Sequence, residues 1–248
     1  MSIIKKSQPD ESAAIDQDQE KHKNIVLSAN TCASPYTDFR SGASWRIFRI
    51  MAEFIEGFEF LADLKKEVTF FGSARCDENN PYYKEAQKLG MLLGKAGFTI
   101  ITGGGPGIME AGNRGALDGG AESVGLNIQL PNEQRINPYV RRAKAFHYFF
   151  TRKVMLTASA QAYVYFPGGF GTLDEFMEIV TLVQTKKMCP IPIVLVGKKH
   201  WNGLLTWVKE ALLTENYIAK EDLDLFTVVD TAEEAFELLK DSNERAYF

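Results

Sequence analysis

The sequence predicts an α/β fold, a Rossmann-like doubly wound parallel sheet with an additional N-terminal helix. Three observations carry this. From Val68 to Lys240, short apolar runs alternate with stretches of helical periodicity. Each intervening stretch is too long for a hairpin, so consecutive strands are joined by crossovers and lie parallel. Runs such as Ile193-Val194-Leu195-Val196 are apolar at every position, the mark of a strand covered on both faces.

The elements follow in order. Residues 1 to about 40 are rich in Asp, Gln, Lys and Ser and lack apolar periodicity, so they read as a disordered or loosely attached tail. Residues 41–248 read as a single domain. Ser44 is the expected cap of a helix over Trp45–Leu64, whose residues Ile47, Ile50, Met51, Phe54, Ile55, Phe58 and Leu61 recur at helical spacing. This helix is expected to dock on the main domain or on another subunit. The first strand is Val68–Phe71, ending in Gly72-Ser73, and a helix over Tyr82–Ala96 follows. The second strand, Phe98–Ile101, runs into Thr102-Gly103-Gly104-Gly105 and a helix over Ile108–Asp118. Strands are expected at Ser123–Asn127 and Ala143–Phe146, then a helix at Thr151–Ser159. Ala162–Phe166 is a buried strand, followed by a Pro-Gly-Gly loop and a helix to about Thr185. Strand Ile193–Val196, helix Trp201–Leu213, strand Phe226–Val229 and helix Ala232–Lys240 complete the chain.

Composition narrows the function. With 45% hydrophobic and 24% charged residues in 248, there is material for one full core. The formal net charge of -4 offers no basic field for a nucleic acid polymer. Cys32, Cys76 and Cys189 form no CxxC pair, and His22, His147 and His200 are scattered, so neither a disulfide framework nor a zinc site is expected. No apolar run approaches the roughly 20 residues of a membrane helix. The N-terminus lacks the apolar segment of a signal peptide, and a cytoplasmic location is expected. No cofactor or metal is expected.

In open parallel sheets ligands bind beyond the C-terminal ends of the strands, and both glycine clusters lie at such ends. Gly103-Gly104-Gly105-Pro106-Gly107 joins a strand to a helix. It is not a dinucleotide fingerprint, because G-x-G-x-x-G counted from Gly105 would need glycine where Glu110 stands. A tight turn and close approach of a ligand are both open readings of Gly104 and Gly105. Pro167-Gly168-Gly169-Phe170-Gly171-Thr172 enters the helix containing Glu175. Bare amides at Gly168, Gly169 and Gly171, a positive helix end and the Thr172 hydroxyl suit an anion. No lysine follows the last glycine, so this is no Walker loop, and a monophosphate fits better than a triphosphate. Thr172-Leu173-Asp174-Glu175 also has capping-box spacing, so Glu175 reads either as a cap or as a catalytic carboxylate. Ser73 can add a hydroxyl near the ligand. Glu110 can contact base or ribose, or simply favour its helix N-terminus.

Together, Gly103-Gly104-Gly105-Pro106-Gly107-Ile108-Met109-Glu110 and Pro167-Gly168-Gly169-Phe170-Gly171-Thr172-Leu173-Asp174-Glu175 resemble the Lonely Guy (LOG) family of cytokinin riboside 5′-monophosphate phosphoribohydrolases, often misnamed lysine decarboxylases. The resemblance runs from about Trp45 to Lys240, and the segment Trp45–Phe54 is similar to the N-terminal helix of a longer bacterial subgroup. It implies hydrolysis of the N-glycosidic bond of a nucleoside 5′-monophosphate to free base and ribose 5-phosphate, by a homodimer or larger homo-oligomer. It implies a catalytic arginine in the R-K motif Arg152-Lys153, with Lys153 near the nucleotide, and a catalytic glutamate at Glu175. Where many members carry Met-His before x-R-K, this chain has Phe149-Phe150, which leaves the preferred base open. A pyridoxal enzyme needs a Schiff-base lysine in a distinctive cofactor site, and the sequence contains no such setting.

Overall fold

The structure is a computed structural model and describes residues 43–129 and 136–243. The expected tail lies outside these residues. Seven parallel strands form one sheet: β1 (Glu67–Phe71), β2 (Thr99–Thr102), β3 (Ser123–Ile128), β4 (Arg142–Phe146), β5 (Ala162–Tyr165), β6 (Ile193–Val196) and β7 (Thr227–Val229). Their order across the sheet is β4-β3-β2-β1-β5-β6-β7. The fold class is the expected one, and each expected strand is found.

Side chains alternate across the sheet because a strand has a period of two. Val68 and Phe70 of β1, with Ala162 and Val164 of β5, face one core layer. That layer is closed by α2 (Pro81–Lys95), α3 (Ile108–Asp118) and α7 (Ala232–Leu239). Phe71, Tyr163 and Tyr165 face the opposite layer, closed by α4 (Phe149–Ala158), α5 (Phe170–Gln184) and α6 (Lys198–Trp207). The first helix, α1 (Ala43–Ala62), leans Phe54, Phe60 and Leu61 against this second layer. The α2–α3 crossing is close: a Cβ on Gly115 would lie 2.0 Å from the Gln87 carbonyl oxygen. Among the described residues no helix is long and apolar enough to cross a membrane.

The differences from expectation are at element ends. Helix α1 begins at Ala43, so Ser44 lies within its first turn instead of preceding it. Helix α4 begins at Phe149, two residues before the expected Thr151. Helix α6 begins at Lys198, three residues before Trp201, and passes into a π-helical turn over Val208–Leu213. In α4 and α6 the acceptor that satisfies the helix start comes from far along the chain. Glu53 accepts from the His147 and Tyr148 amides ahead of α4, and Asp230 accepts from the Lys198 amide of α6. Neither start carries a cap of its own for a local reading to detect.

Candidate functional site

Strand order reverses at β1. Strands β2 to β4 are added on one side and β5 to β7 on the other, so the C-terminal ends of β1 and β5 adjoin at the switch point. Such a reversal leaves a crevice, because the following connections leave in opposite directions. Here it is a cavity of about 1150 Å³. Its wall includes Gly72-Ser73 after β1, Gly103 after β2, the whole 167–172 loop after β5, and Arg152, Lys153, Asp174 and Glu175. The loops are joined by backbone bonds: the Phe166 amide donates to the Phe71 carbonyl (2.8 Å) and the Ser73 amide to the Pro167 carbonyl (3.0 Å). The Ser73 hydroxyl accepts from the Arg75 amide at 3.1 Å, which fixes it at the cavity wall.

Helix α5 starts at Phe170 with Gly169 as its N-cap and no capping side chain. Thr172 is therefore the third residue of the helix, and the expected capping box with Glu175 does not form. A Cβ on Gly168 would sit 2.0 Å from Thr172 Oγ1. The buried Thr172 side chain packs against the bare glycine. The first-turn amides cannot reach an intrahelical carbonyl and have no side-chain acceptor here. Gly169 and Gly171 both line the cavity, and a Cβ on either would meet no protein atom within 4 Å. Neither has a positive φ, so packing and backbone conformation do not require glycine there. What their lack of a side chain leaves open is the cavity beside the helix start.

Two turns of helix bring the charged groups together. The Glu175 side chain is only 13% exposed, and its Oε2 is buried with no hydrogen-bond partner. Burial raises its pKa from 4.5 to about 7; the Lys153 charge opposes this, Glu178 adds to it, Arg152 opposes and Asp174 adds. Arg152 projects from α4 with Nε donating to the Leu126 carbonyl (2.7 Å). Its guanidinium lies against Gly103, where a Cβ would stand 2.3 Å from Nη2. Burial lowers its pKa and Glu175 opposes that, but a guanidinium stays charged in proteins. Lys153 Nζ sits 2.6 Å from Asp174, 2.8 Å from Glu178 and 3.6 Å from Glu175. Burial works against its charge, yet hydrogen bonds to Asp174 and Glu178 win and raise its pKa. The mouth is aromatic: Phe149, Phe150 and Phe170 are exposed and line the cavity.

The structure thus brings together Ser73, Arg152, Lys153, Gly168, Gly169, Gly171, Thr172 and Glu175. Gly104, Gly105 and Glu110 are not among the lining residues. The Gly104 φ is +72°, and its amide donates to Thr102 Oγ1 (2.9 Å). The Gly105 carbonyl accepts from Asn137 Nδ2 (2.9 Å), and Glu110 accepts from the Tyr83 hydroxyl (3.1 Å). These three are engaged within the protein, whereas Gly103 of the same cluster lines the cavity. Glu53 was invisible to local reading. Its carboxylate accepts from the His147 amide (2.8 Å), the Tyr148 amide (3.3 Å) and the Thr151 hydroxyl (2.6 Å), and so anchors the start of the Arg152 helix. The signal available was a single acidic residue on the inward face of an amphipathic helix.

The model of a family described as possible lysine decarboxylases matches residues 109–239. A cytokinin riboside 5′-monophosphate phosphoribohydrolase of Arabidopsis thaliana is 27% identical over 188 residues, covering 74% of this chain and 86% of the relative. One of Oryza sativa subsp. japonica is 29% identical over 173 residues, covering 66% of this chain and 68% of the relative. Among solved structures, the molybdenum cofactor carrier protein of Chlamydomonas reinhardtii superposes with a TM-score of 0.53 at 22% identity, over 71% of this chain and 96% of that one. The molybdenum cofactor binding protein of Rippkaea orientalis gives 0.53 at 20% identity, over 70% and 93%. At these identities the two structures establish the shared fold alone.

Proposed function

The chain belongs to the family described as possible lysine decarboxylases, the LOG family, and from that premise we propose that it hydrolyses the N-glycosidic bond of a nucleoside 5′-monophosphate, AMP or a cytokinin riboside 5′-monophosphate, to free base and ribose 5-phosphate. The observation that carries this reading is the Glu175 carboxyl, whose Oε2 is buried without a hydrogen-bond partner, in a cavity that also holds Arg152 and an uncapped helix start. The first-turn amides of α5, with Gly169, Gly171 and Thr172, take the phosphate. Ser73 adds a hydroxyl from the β1 side. The phosphate then fixes the sugar relative to Glu175, one turn further along the helix.

Cleavage passes through a cation-like sugar. An ionised Glu175 stabilises that charge and accepts a proton from the attacking water, whose oxygen forms the new bond to the anomeric carbon as the bond to the base breaks. Arg152 supplies positive charge beside the phosphate, the ribose or the departing base. A pKa near 7 suits a group that must exchange a proton at neutral pH. The decarboxylase description has no support in the cavity. Lys153 is the lysine among its lining residues, and two carboxylates hold it charged, whereas a Schiff-base lysine must shed its proton to attack a carbonyl.

The test is base release from adenosine, AMP and ATP under matched conditions without added metal. AMP is expected to be cleaved, adenosine not, and ATP poorly. Binding without any base release would indicate a carrier. Adenosine cleaved as efficiently as AMP would remove the phosphate anchor on which the mechanism rests.

A further inference from the structure

Beside the cavity lies a half-buried carboxylate that the mechanism does not use. Glu178 stands one turn beyond Glu175 on α5; its side chain is 27% exposed and its Oε2 is buried. Asp174 and Glu178 are four residues apart, and residues at that spacing are neighbours on one side of a helix. Lys153, reaching across from α4, bridges them, with Nζ 2.6 Å from Asp174 Oδ2 and 2.8 Å from Glu178 Oε2. Glu175 is next to this pair but outside it. Its Oε2 is 3.6 Å from the same ammonium, beyond hydrogen-bond distance, and is buried without a hydrogen-bond partner.

A buried carboxylate with an ammonium in reach would ordinarily take a hydrogen bond from it. Closing the gap requires a shift of only about 0.8 Å at the end of a flexible side chain. What prevents it is competition for the cation. The charged groups facing Glu175 are Arg152 and Lys153 from α4, and Asp174 and Glu178 on its own helix. From β5 comes the Tyr165 hydroxyl, kept neutral by burial and donating to the Glu175 main-chain carbonyl. Only the two carboxylates can draw Lys153 away. The Asp174 side chain is 66% exposed, so water screens its pull. Glu178 is the competitor shielded from solvent.

A general base must keep a lone pair free for the proton it accepts. Resting on the role proposed for Glu175, we infer that Glu178 is a positioning residue: it draws Lys153 onto the Asp174–Glu178 side of α5 and keeps the ammonium from closing onto the Glu175 carboxylate. Lys153 stays near enough to favour the ionised form of Glu175 and too far to occupy the oxygen that receives the proton.

Glu178→Gln keeps the size of the side chain and removes its charge, and thermal melts are expected to show it folded. Lys153 is then expected to hydrogen-bond Glu175. The kcat for base release from AMP is expected to fall at least about tenfold. The limb of kcat/KM is expected to move to lower pH, because the ammonium comes nearer and a like charge is gone. Glu178→Asp, which keeps the charge, is expected to recover most of kcat. The deciding comparison is made in Lys153→Met, which has no ammonium to release. There Glu178→Gln is expected to change kcat by less than about twofold. An unchanged kcat in Glu178→Gln, the same loss in both backgrounds, or a limb that moves to higher pH would overturn the inference. A second measurement needs no turnover. Titration of carbon-13-labelled glutamate carboxyls, with the Glu175 signal assigned through Glu175→Gln, is expected to show a larger downward pKa shift on Glu178→Gln in the parent than in Lys153→Met. A shift as large without the lysine would overturn the inference. If AMP is not cleaved at all, the function proposed for the site falls, and this titration still decides whether Glu178 holds Lys153 off Glu175.

Discussion

Replacing Lys153 by methionine tests the electrostatics of the site directly. Lys153 Nζ lies 3.6 Å from Glu175 and is the first-named influence opposing the burial that raises the Glu175 pKa to about 7. Even in a water-like dielectric, unit charges at this distance attract by about 1.2 kcal/mol, or about 0.8 of a pKa unit. The Lys153 side chain is 26% exposed and shared with Asp174 and Glu178, so the screened limit is the appropriate scale. Without the cation, Glu178 and Asp174 remain as like charges and act in the same direction. The Glu175 pKa should therefore rise by about one unit, to about 8. The proposed role needs the carboxylate, so kcat/KM should rise with pH through a limb near 7 in the parent and near 8 in the variant. At pH 7 the ionised fraction falls from about one half to about one tenth, giving a roughly fivefold loss at that pH. The assay is base release from AMP between pH 5 and pH 9.5, and the informative quantity is the midpoint of the limb, since a lost substrate contact lowers the plateau without moving it. A limb that stays in place, or moves to lower pH, would refute the argument. Higher activity of the variant at pH 7 would mean that Glu175 works as an acid.

Three further outcomes are expected. Glu175→Gln should bind nucleotide but lose turnover by at least about a hundredfold, and it should be the more stable protein. A carboxyl whose pKa rises from 4.5 to about 7 on folding costs stability as pH climbs through that window, by up to about 3 kcal/mol above it; thermal melts should show the variant's gain at pH 8 and none at pH 4. Gly171→Ala should fold normally, because its Cβ meets no protein atom, and raise KM for AMP about tenfold, whereas Gly168→Ala should destabilise by forcing Thr172 Oγ1 away, both read by melts alongside kinetics. Glu53→Ala should cost about 1–3 kcal/mol by orphaning the amides ahead of α4 and lower kcat through Arg152; Glu53→Gln, whose amide oxygen still accepts, should recover part of both in denaturation and turnover assays.

The local rules of the chain determined the fold class. Apolar strand runs have a length and a two-residue alternation that show without tertiary context, and the intervening helices carry their own periodicity, so all seven strands were legible. The glycine loop at 167–172 and the helix it enters were legible too, because a bare helix start is built from consecutive residues. Only the tertiary structure decided what those residues do to one another. Thr172 and Glu175 have the spacing of a cap, but the helix starts earlier, with Gly169 as its N-cap, Thr172 packs against Gly168, and the carboxylate is left free of the cap. Gly103 reads as part of a glycine cluster open to a turn or to a ligand, and the bulk it excludes belongs to Arg152, from a different crossover. Glu53 anchors a helix nearly a hundred residues away. Lys153 reads as the second half of a short basic motif and becomes a cation shared by three carboxylates of α5. Local interactions repeat along the chain and leave a period that can be read. Contacts between crossovers depend on which strand is laid beside which, and strand order is set by burial of the whole sheet, which no local stretch encodes.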